Sequence, residues 1–416
     1  MTPDTAENSR LAFALCLTFI LMVPLAIAGL ALINTGLGRS RSAAHAMTSS
    51  LCVISVAVLV YFAWGFAIQG YPDLTFFGGA GHGTDGMRST FAPAAIAALL
   101  AFFSVALASL IPLGAASDRW RISAACASTV LFAGCIYPVY ARLAWRQFLS
   151  PDVKLGLGHF FIDVGGSGVI QVTGGLTALS LAWLLGPRRG KYSSNGMPAA
   201  IPAHNGVFVV FGCMLAWIGW MGLNSASAIL YAWLPIETSV LVAVNTTFSA
   251  MAAALTAAAI TRIRFRKPDA SLIANGWVGG LVASSAGCAS LKPATAVLTG
   301  FVAGALVVLA IEFLEFTLKI DDPCGSVSVH AVAGIWGLLA VGIFSGGLGQ
   351  LLAQLVGVAT LLGFVLPLTY GLNWLLGRFI PHRVSVDGER QGLDLHELGA
   401  DAYPEFAVHA DEFMQR

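Results

Sequence analysis

Apolar runs long enough to cross a lipid bilayer recur along nearly the whole chain, and this constrains its fold more than any other feature. A helix needs about 20 consecutive apolar residues to cross the hydrocarbon. Eleven such spans can be drawn, at roughly 11–34, 50–69, 91–115, 122–144, 160–186, 206–224, 239–261, 274–290, 294–318, 328–346 and 350–376. Of 416 residues, 57% are hydrophobic and 10% charged, and the mean hydropathy is +0.79. Barrel strands would give alternating segments of about ten residues, and the sequence has none. A lone segment in lipid satisfies its backbone only as a helix. The expected fold is an all-α membrane protein of eleven transmembrane helices over residues 1–377, followed by a polar tail over 378–416.

Loop charge sets the expected orientation, because cytoplasmic loops collect Lys and Arg. Loops after odd-numbered spans carry twelve: Arg39, Arg41, Arg119, Arg121, Arg188, Arg189, Lys191, Arg262, Arg264, Arg266, Lys267 and Lys319. Loops after even-numbered spans carry five: Arg88, Arg142, Arg146, Lys154 and Lys292. The tail and the basic loops are therefore expected in the cytoplasm and the N-terminus outside, as in a multi-pass cell membrane protein. The residues Met1–Arg10 include Asp4, Glu7 and Arg10, with no basic run before the first span. No small-residue cleavage site follows a short apolar core, so the first span reads as retained.

Several function classes find no support. A net charge of +1 without a basic stripe interleaved with aromatics gives no footprint for nucleic acid. The seven Cys lie mostly within spans and lack paired spacing, and read as small packing residues. No Gly-rich loop ending in Lys-Ser or Lys-Thr supports ATP-driven pumping. No metal-ligand cluster, nucleophile elbow or cofactor fingerprint supports an enzyme, and no cofactor is expected.

Two short runs match each other at a distance. Asp163-Val164-Gly165-Gly166-Ser167 leads to Gln171, and Asp322-Pro323-Cys324-Gly325-Ser326 leads to His330. Each opens an apolar span, and the two spans run in opposite directions. Eight helical residues would place Gln171 and His330 each about 12 Å from its aspartate, near the middle of the hydrocarbon. The pattern predicts an inverted five-plus-five repeat, spans 1–5 against 6–10, with span 11 as an extra. Polar groups inside a membrane are costly and usually face a pathway. Gln can also serve as glue between helices. For Asp163 and Asp322 the structural role is favoured: a carboxylate that caps the amides of a helix start.

These residues carry a resemblance to the Amt/Mep/Rh family of ammonium transporters. Asp321-Asp322-Pro323-Cys324 followed by Val329-His330 resembles the family's second twin-histidine motif. Ile218-Gly219-Trp220-Met221-Gly222-Leu223-Asn224-Ser225-Ala226-Ser227 resembles its signature in span 6. Val244-Asn245-Thr246-Thr247, Gly114-Ala115-Ala116-Ser117-Asp118-Arg119 and the tail run from Gly392 to Tyr403 also fit. The resemblance covers span 1 to the tail. It implies eleven spans, an outside N-terminus and a homotrimer with one pore per subunit.

The resemblance also implies site residues. Ser227 matches the serine, and Trp145 the cage tryptophan, of an outer site that recruits ammonium. A cation near an indole face gains about 0.5–2 kcal/mol. The two phenylalanines that close the family's pore are replaced by Ser104 and Leu223, with Phe102 and Phe103 nearby. The first twin histidine is Gln171 and the second is His330. Imidazole can take a proton on one nitrogen while donating from the other; an amide cannot titrate usefully.

Three readings follow. The chain passes ammonium or ammonia; or it binds ammonium without passing it, as a sensor or modulating subunit; or it passes another small molecule such as methylamine or a neutral gas. The expectation is ammonium or ammonia permeation through an apolar pore with an atypical Gln171/His330 pair. Relatives of the sensor kind often feed a fused signalling module, and the sequence given runs to Arg416 without one. In the family the tail bears on gating from the cytoplasmic face, where a trimeric PII signalling protein plugs some relatives. The stretch Phe406–Arg416 departs from the family's usual ending.

Overall fold

The computed structural model describes residues 3–71, 93–146 and 159–404. Arg88 and Lys154, counted above for loop charge, and Phe406–Arg416 lie outside the described residues. The chain runs through α1 (Pro3–Leu37), α2 (Ser40–Gln69), α3 (Pro93–Ala115), α4 (Ile122–Trp145), α5 (Ser167–Leu185), α6 (Gly206–Leu230) and α7 (Thr238–Phe265). It continues through α8 (Ala270–Gly287), α9 (Pro293–Thr317), α10 (Val327–Ser345), α11 (Gly347–Leu376) and a short α12 (Val386–Gln391). Ten of these, all but α8 and α12, are long and apolar enough to cross a membrane. The described residues contain no β-strand, only two isolated bridges. This is an all-helical multi-pass membrane protein.

The helix α8 falls short on composition for a physical reason. From Ala274 to Gly287 all but Trp277 are buried, among α7, α9 and α10. A segment shielded from lipid by protein can carry Asn275, Ser284 and Ser285 and four glycines without facing hydrocarbon.

Lipid tails are as apolar as Leu, so helices in a membrane associate through close packing at small residues. The α1–α6 crossing depends on this. A methyl group on Gly212 would lie 2.6 Å from the Gly29 carbonyl oxygen, so the two backbones touch. The α7, α8 and α9 helices meet the same way, with Gly280, Gly300 and Gly304 against Ser249, Ala250 and Ala253.

The fifth span starts later than its hydropathy suggests. Residues 159–166 are not helical, and α5 begins at Ser167. Gly166 has φ +81°, a left-handed conformation that breaks the helix and favours glycine. The rise from Asp163 to Gln171 is therefore not helical throughout. Gly325 repeats the device with φ +70° before α10.

Loops after α1, α3, α5 and α9 gather on one face with the tail. Arg188 donates to both oxygens of Asp321 (2.9 and 3.1 Å) and to Asp118 Oδ2 (2.9 Å). The other oxygen of Asp118 accepts from the Arg39 amide. Burial alone would raise the Asp321 carboxyl, but the guanidinium groups of Arg188 and Arg119 outweigh it and hold it below the usual carboxylate range. Burial also lowers Arg119 to about 10. The tail lies across these loops. Glu389 accepts from Arg383 and from the Arg189 amide, and Asp394 accepts from the amides of Ala44 and His45. Glu397 accepts from the Ile122 amide and lies 2.9 Å from His45 Nε2.

Candidate functional site

The starts of α5 and α10 are built alike. Asp163 Oδ2 accepts from the amides of Gly168 and Val169, both at 2.9 Å. Asp322 accepts from the amides of Ser326 (3.0 Å) and Val327 (2.7 Å). A carboxylate, buried at α5 and half-buried at α10, thus satisfies free N–H groups at each helix start. The first turns are π-helical, over Ser167–Val172 and Val327–Val332. Wide turns of this kind are rare and recur at functional sites. One carries Gln171 and the other His330.

The two turns pass against each other at glycines placed four residues beyond each polar side chain. A methyl group on Gly175 would come within 2.9 Å of Ala331 Cα, beside His330. One on Gly334 would lie 2.6 Å from Val172 Cγ2, beside Gln171. This close approach brings Gln171 Oε1 to 2.8 Å from His330 Nδ1. Both residues are buried, at 0% and 2% exposure. An amide oxygen only accepts, so with Oε1 facing the ring the proton sits on His330 Nδ1 and Nε2 keeps its lone pair. The amide Nε2 of Gln171 has no protein partner.

On one side of this pair lies a cavity of about 390 Å3. Its lining includes Arg188, Lys191, Glu315, Asp321, Asp322 and Ser328. Ser328 is two residues from His330, and its buried hydroxyl has no partner. Lys191 Nζ bonds Glu315 Oε1 at 2.5 Å, and Tyr192 donates to the Glu315 carbonyl, so the loop before α6 is fastened to the end of α9.

The other side of the pair holds the remaining expected site residues. Trp145 donates its indole N–H to the Asp163 carbonyl (2.9 Å), and Tyr231 stacks on its ring at 4.5 Å with the planes 25° apart. One face of that indole is thereby covered. Ser227 is buried one turn before Tyr231, and its hydroxyl has no partner. Ser104 is buried and donates to the Leu100 carbonyl, and Leu223 is fully buried in the core. Phe102 packs edge-on against Phe62 and Phe66 of α2.

The sequence reading overlooked Ser328 and the tyrosines at 61, 137 and 231.

An all-helical membrane bundle with a polar pair buried where two helices cross fits the transporter and channel class of membrane protein. The chain belongs to the Ammonium Transporter Family, whose model matches residues 12–403. It is 34% identical to ammonium transporter Amt2 of Archaeoglobus fulgidus, over 92% of this chain and 86% of that relative. It is 31% identical to Amt2 of Haloferax mediterranei, over 97% of this chain and 91% of the relative. A solved sensor Amt protein superposes with a TM-score of 0.85 at 27% identity, covering 94% of this chain and 99% of that one.

Proposed function

We propose that this chain passes ammonium nitrogen across the membrane as neutral ammonia, through the crossing of α5 and α10, without an accompanying proton current. One observation carries the reading: His330 Nδ1 is tied to the amide oxygen of Gln171 at 2.8 Å. That bond leaves a donor, Gln171 Nε2, and an acceptor, His330 Nε2. Ammonia has one lone pair and three N–H groups, so it can use both. A bare cation in this apolar setting would cost many kcal/mol. A proton hop needs titrating groups in series, and the amide interrupts the series.

The same reading assigns weak ammonium recruitment to Trp145 and Ser227, pore-wall roles to Ser104 and Leu223, and capping to Asp163 and Asp322. It counts α8 as an eleventh span and pairs α1–α5 with α6–α10 as an inverted repeat. The matched Asp–Gly–polar devices and the matched glycine crossings support that symmetry. Loops after odd-numbered helices share a face with the tail, which supports eleven crossings with the N-terminus outside. That face is where a PII signalling protein would dock.

The test is an ammonium pulse on proteoliposomes, read as current and lumenal pH together. Alkalinisation of the lumen without current is expected. A robust saturable current from the unmodified protein overturns the reading. A second reading, ammonium binding without passage, is favoured by the likeness to the sensor Amt protein. It predicts neither current nor alkalinisation, with ammonium binding retained.

A further inference from the structure

On the outside of the bundle, α5 and α11 share an open groove of about 480 Å3, lined by Trp183, Leu362, Leu366, Pro367 and Tyr370. Trp183 lies two residues before the end of α5, and Trp374 two residues before the end of α11. Both ends are at the tail, whose Arg383 donates to the carbonyls of Leu185 and Pro187. These rings therefore stand at the edge of the apolar bundle. Trp183 and Tyr370 meet edge to face at 6.4 Å. Tyr370, Trp374 and Arg378 follow at four-residue steps, so neighbours lie one turn apart. The Arg378 guanidinium stands 4.5 Å from the centre of the Trp374 ring.

Each feature fits a phospholipid. Trp and Tyr settle at headgroup level because one part of each side chain is apolar and another polar. Trp183, Tyr370 and Trp374 are all exposed. Among the described residues, neither the Trp183 N–H nor the Tyr370 hydroxyl has a hydrogen-bond partner. Leu366 and Leu362 lie deeper in the membrane, and from Tyr370 to Leu362 is about 12 Å of helix. An acyl chain can lie along that length. Arg378 is exposed, and no described carboxylate pairs with it. The tail's Glu389 is taken up by Arg383. A guanidinium without a counter-ion at a membrane edge attracts anionic headgroups, and its planar fork matches phosphate oxygens.

We propose that this groove binds an anionic phospholipid from the leaflet on the tail's side. Its phosphate rests on Arg378, its glycerol region against Trp183, Tyr370 and Trp374, and one acyl chain along Leu366 and Leu362. A zwitterionic lipid carries the same phosphate beside its own cation, so it gains less from Arg378. A protein partner would have to bring an anion to the membrane edge, where an anionic leaflet already supplies one. The site lies outside the crossing of α5 and α10 and holds whatever passes through it.

The test uses the full-length protein in phosphatidylcholine nanodiscs that carry a minor fraction of lipid brominated on its chains. Bromine quenches indole fluorescence on contact. Brominated phosphatidylglycerol should quench more strongly than brominated phosphatidylcholine at equal mole fraction, and the difference should shrink as salt rises. Replacing Trp183 and Trp374 together by Phe should remove that difference and leave the quenching of the other tryptophans. Arg378→Gln should lower the preference for phosphatidylglycerol about fivefold, the worth of one basic residue at an anionic surface. These side chains are exposed, and thermal melts verify that each variant folds. Equal quenching by the two lipids would overturn the inference, as would a preference that survives Arg378→Gln. Loss of the preference on adding inorganic phosphate would mean that the anion alone is bound, and would also overturn it. So would unchanged quenching in the double Phe variant, which would mean that protein covers the groove. Ammonium flux is not read, so failure here leaves the permeation reading untouched.

Discussion

The side chain at position 171 determines which nitrogen of His330 carries the proton. Replacing Gln171 by Leu leaves His330 Nδ1–H buried without an acceptor, a cost of about 1–3 kcal/mol. A melting temperature lowered by several degrees, together with slower ammonia entry, is the expected result. Gln171→His restores a second titrating ring, and a proton-linked current should appear in the same liposomes if the wall at Ser104 and Leu223 is open. The glycines beside the pair are as sensitive. Gly175→Val inserts a branched side chain where even one methyl would press on Ala331. Overpacking of this kind costs about 1–3 kcal/mol, so yield and melting temperature should both fall, while Gly363→Ala, in open space on α11, should change neither.

At the scale of elements, the face that carries the tail depends on buried charge. Arg188 and Asp321 are 4% and 1% exposed, so removing one partner leaves a charge without its counterpart. Asp321→Asn should cost about 3 kcal/mol, read as a loss of thermal stability. The pH dependence has a definite sign. The folded Asp321 carboxyl titrates below its unfolded value, so its stabilisation is present above the ordinary carboxylate range. It is lost as pH falls through the depressed folded value. Glu397 behaves alike: burial raises its carboxyl, but bonds from His45 and the Ile122 amide outweigh this and hold it low. Proteolysis of the tail should accelerate as pH drops below about 4, and Glu397→Gln should flatten that response.

At the scale of the whole molecule, long stretches of α6, α7 and α9 present apolar side chains outward, among them Val207, Leu255 and Leu298. Lipid or neighbouring subunits must cover them. The homotrimer that the family resemblance implies predicts a detergent-corrected mass of three chains, and a monomer would refute it. Cysteine labelling should place the N-terminus and the tail on opposite sides of the membrane, and labelling on one side would refute the eleven crossings.

The spans were legible because hydrocarbon demands length and apolarity, a local property that a window of the chain displays. The pairing of Gln171 with His330 was legible because the duplication repeats Asp163 and Asp322 at the same offset from each. The start of α5 was not, since hydropathy continues through residues 159–166 while Gly166 turns the backbone left-handed. The helix α8 corresponds to the span drawn at 274–290, yet it is less apolar than the ten other long helices, because three helices surround its polar residues. The sequence by itself determined a helical membrane bundle, its family and the identity of the polar pair, because these depend on composition and spacing along one chain. Tertiary structure alone decided that Trp145 lies under Tyr231 and that Arg188 joins three loops. Those depend on which faces of distant helices meet, and close packing at glycines, rather than any local preference, selects them.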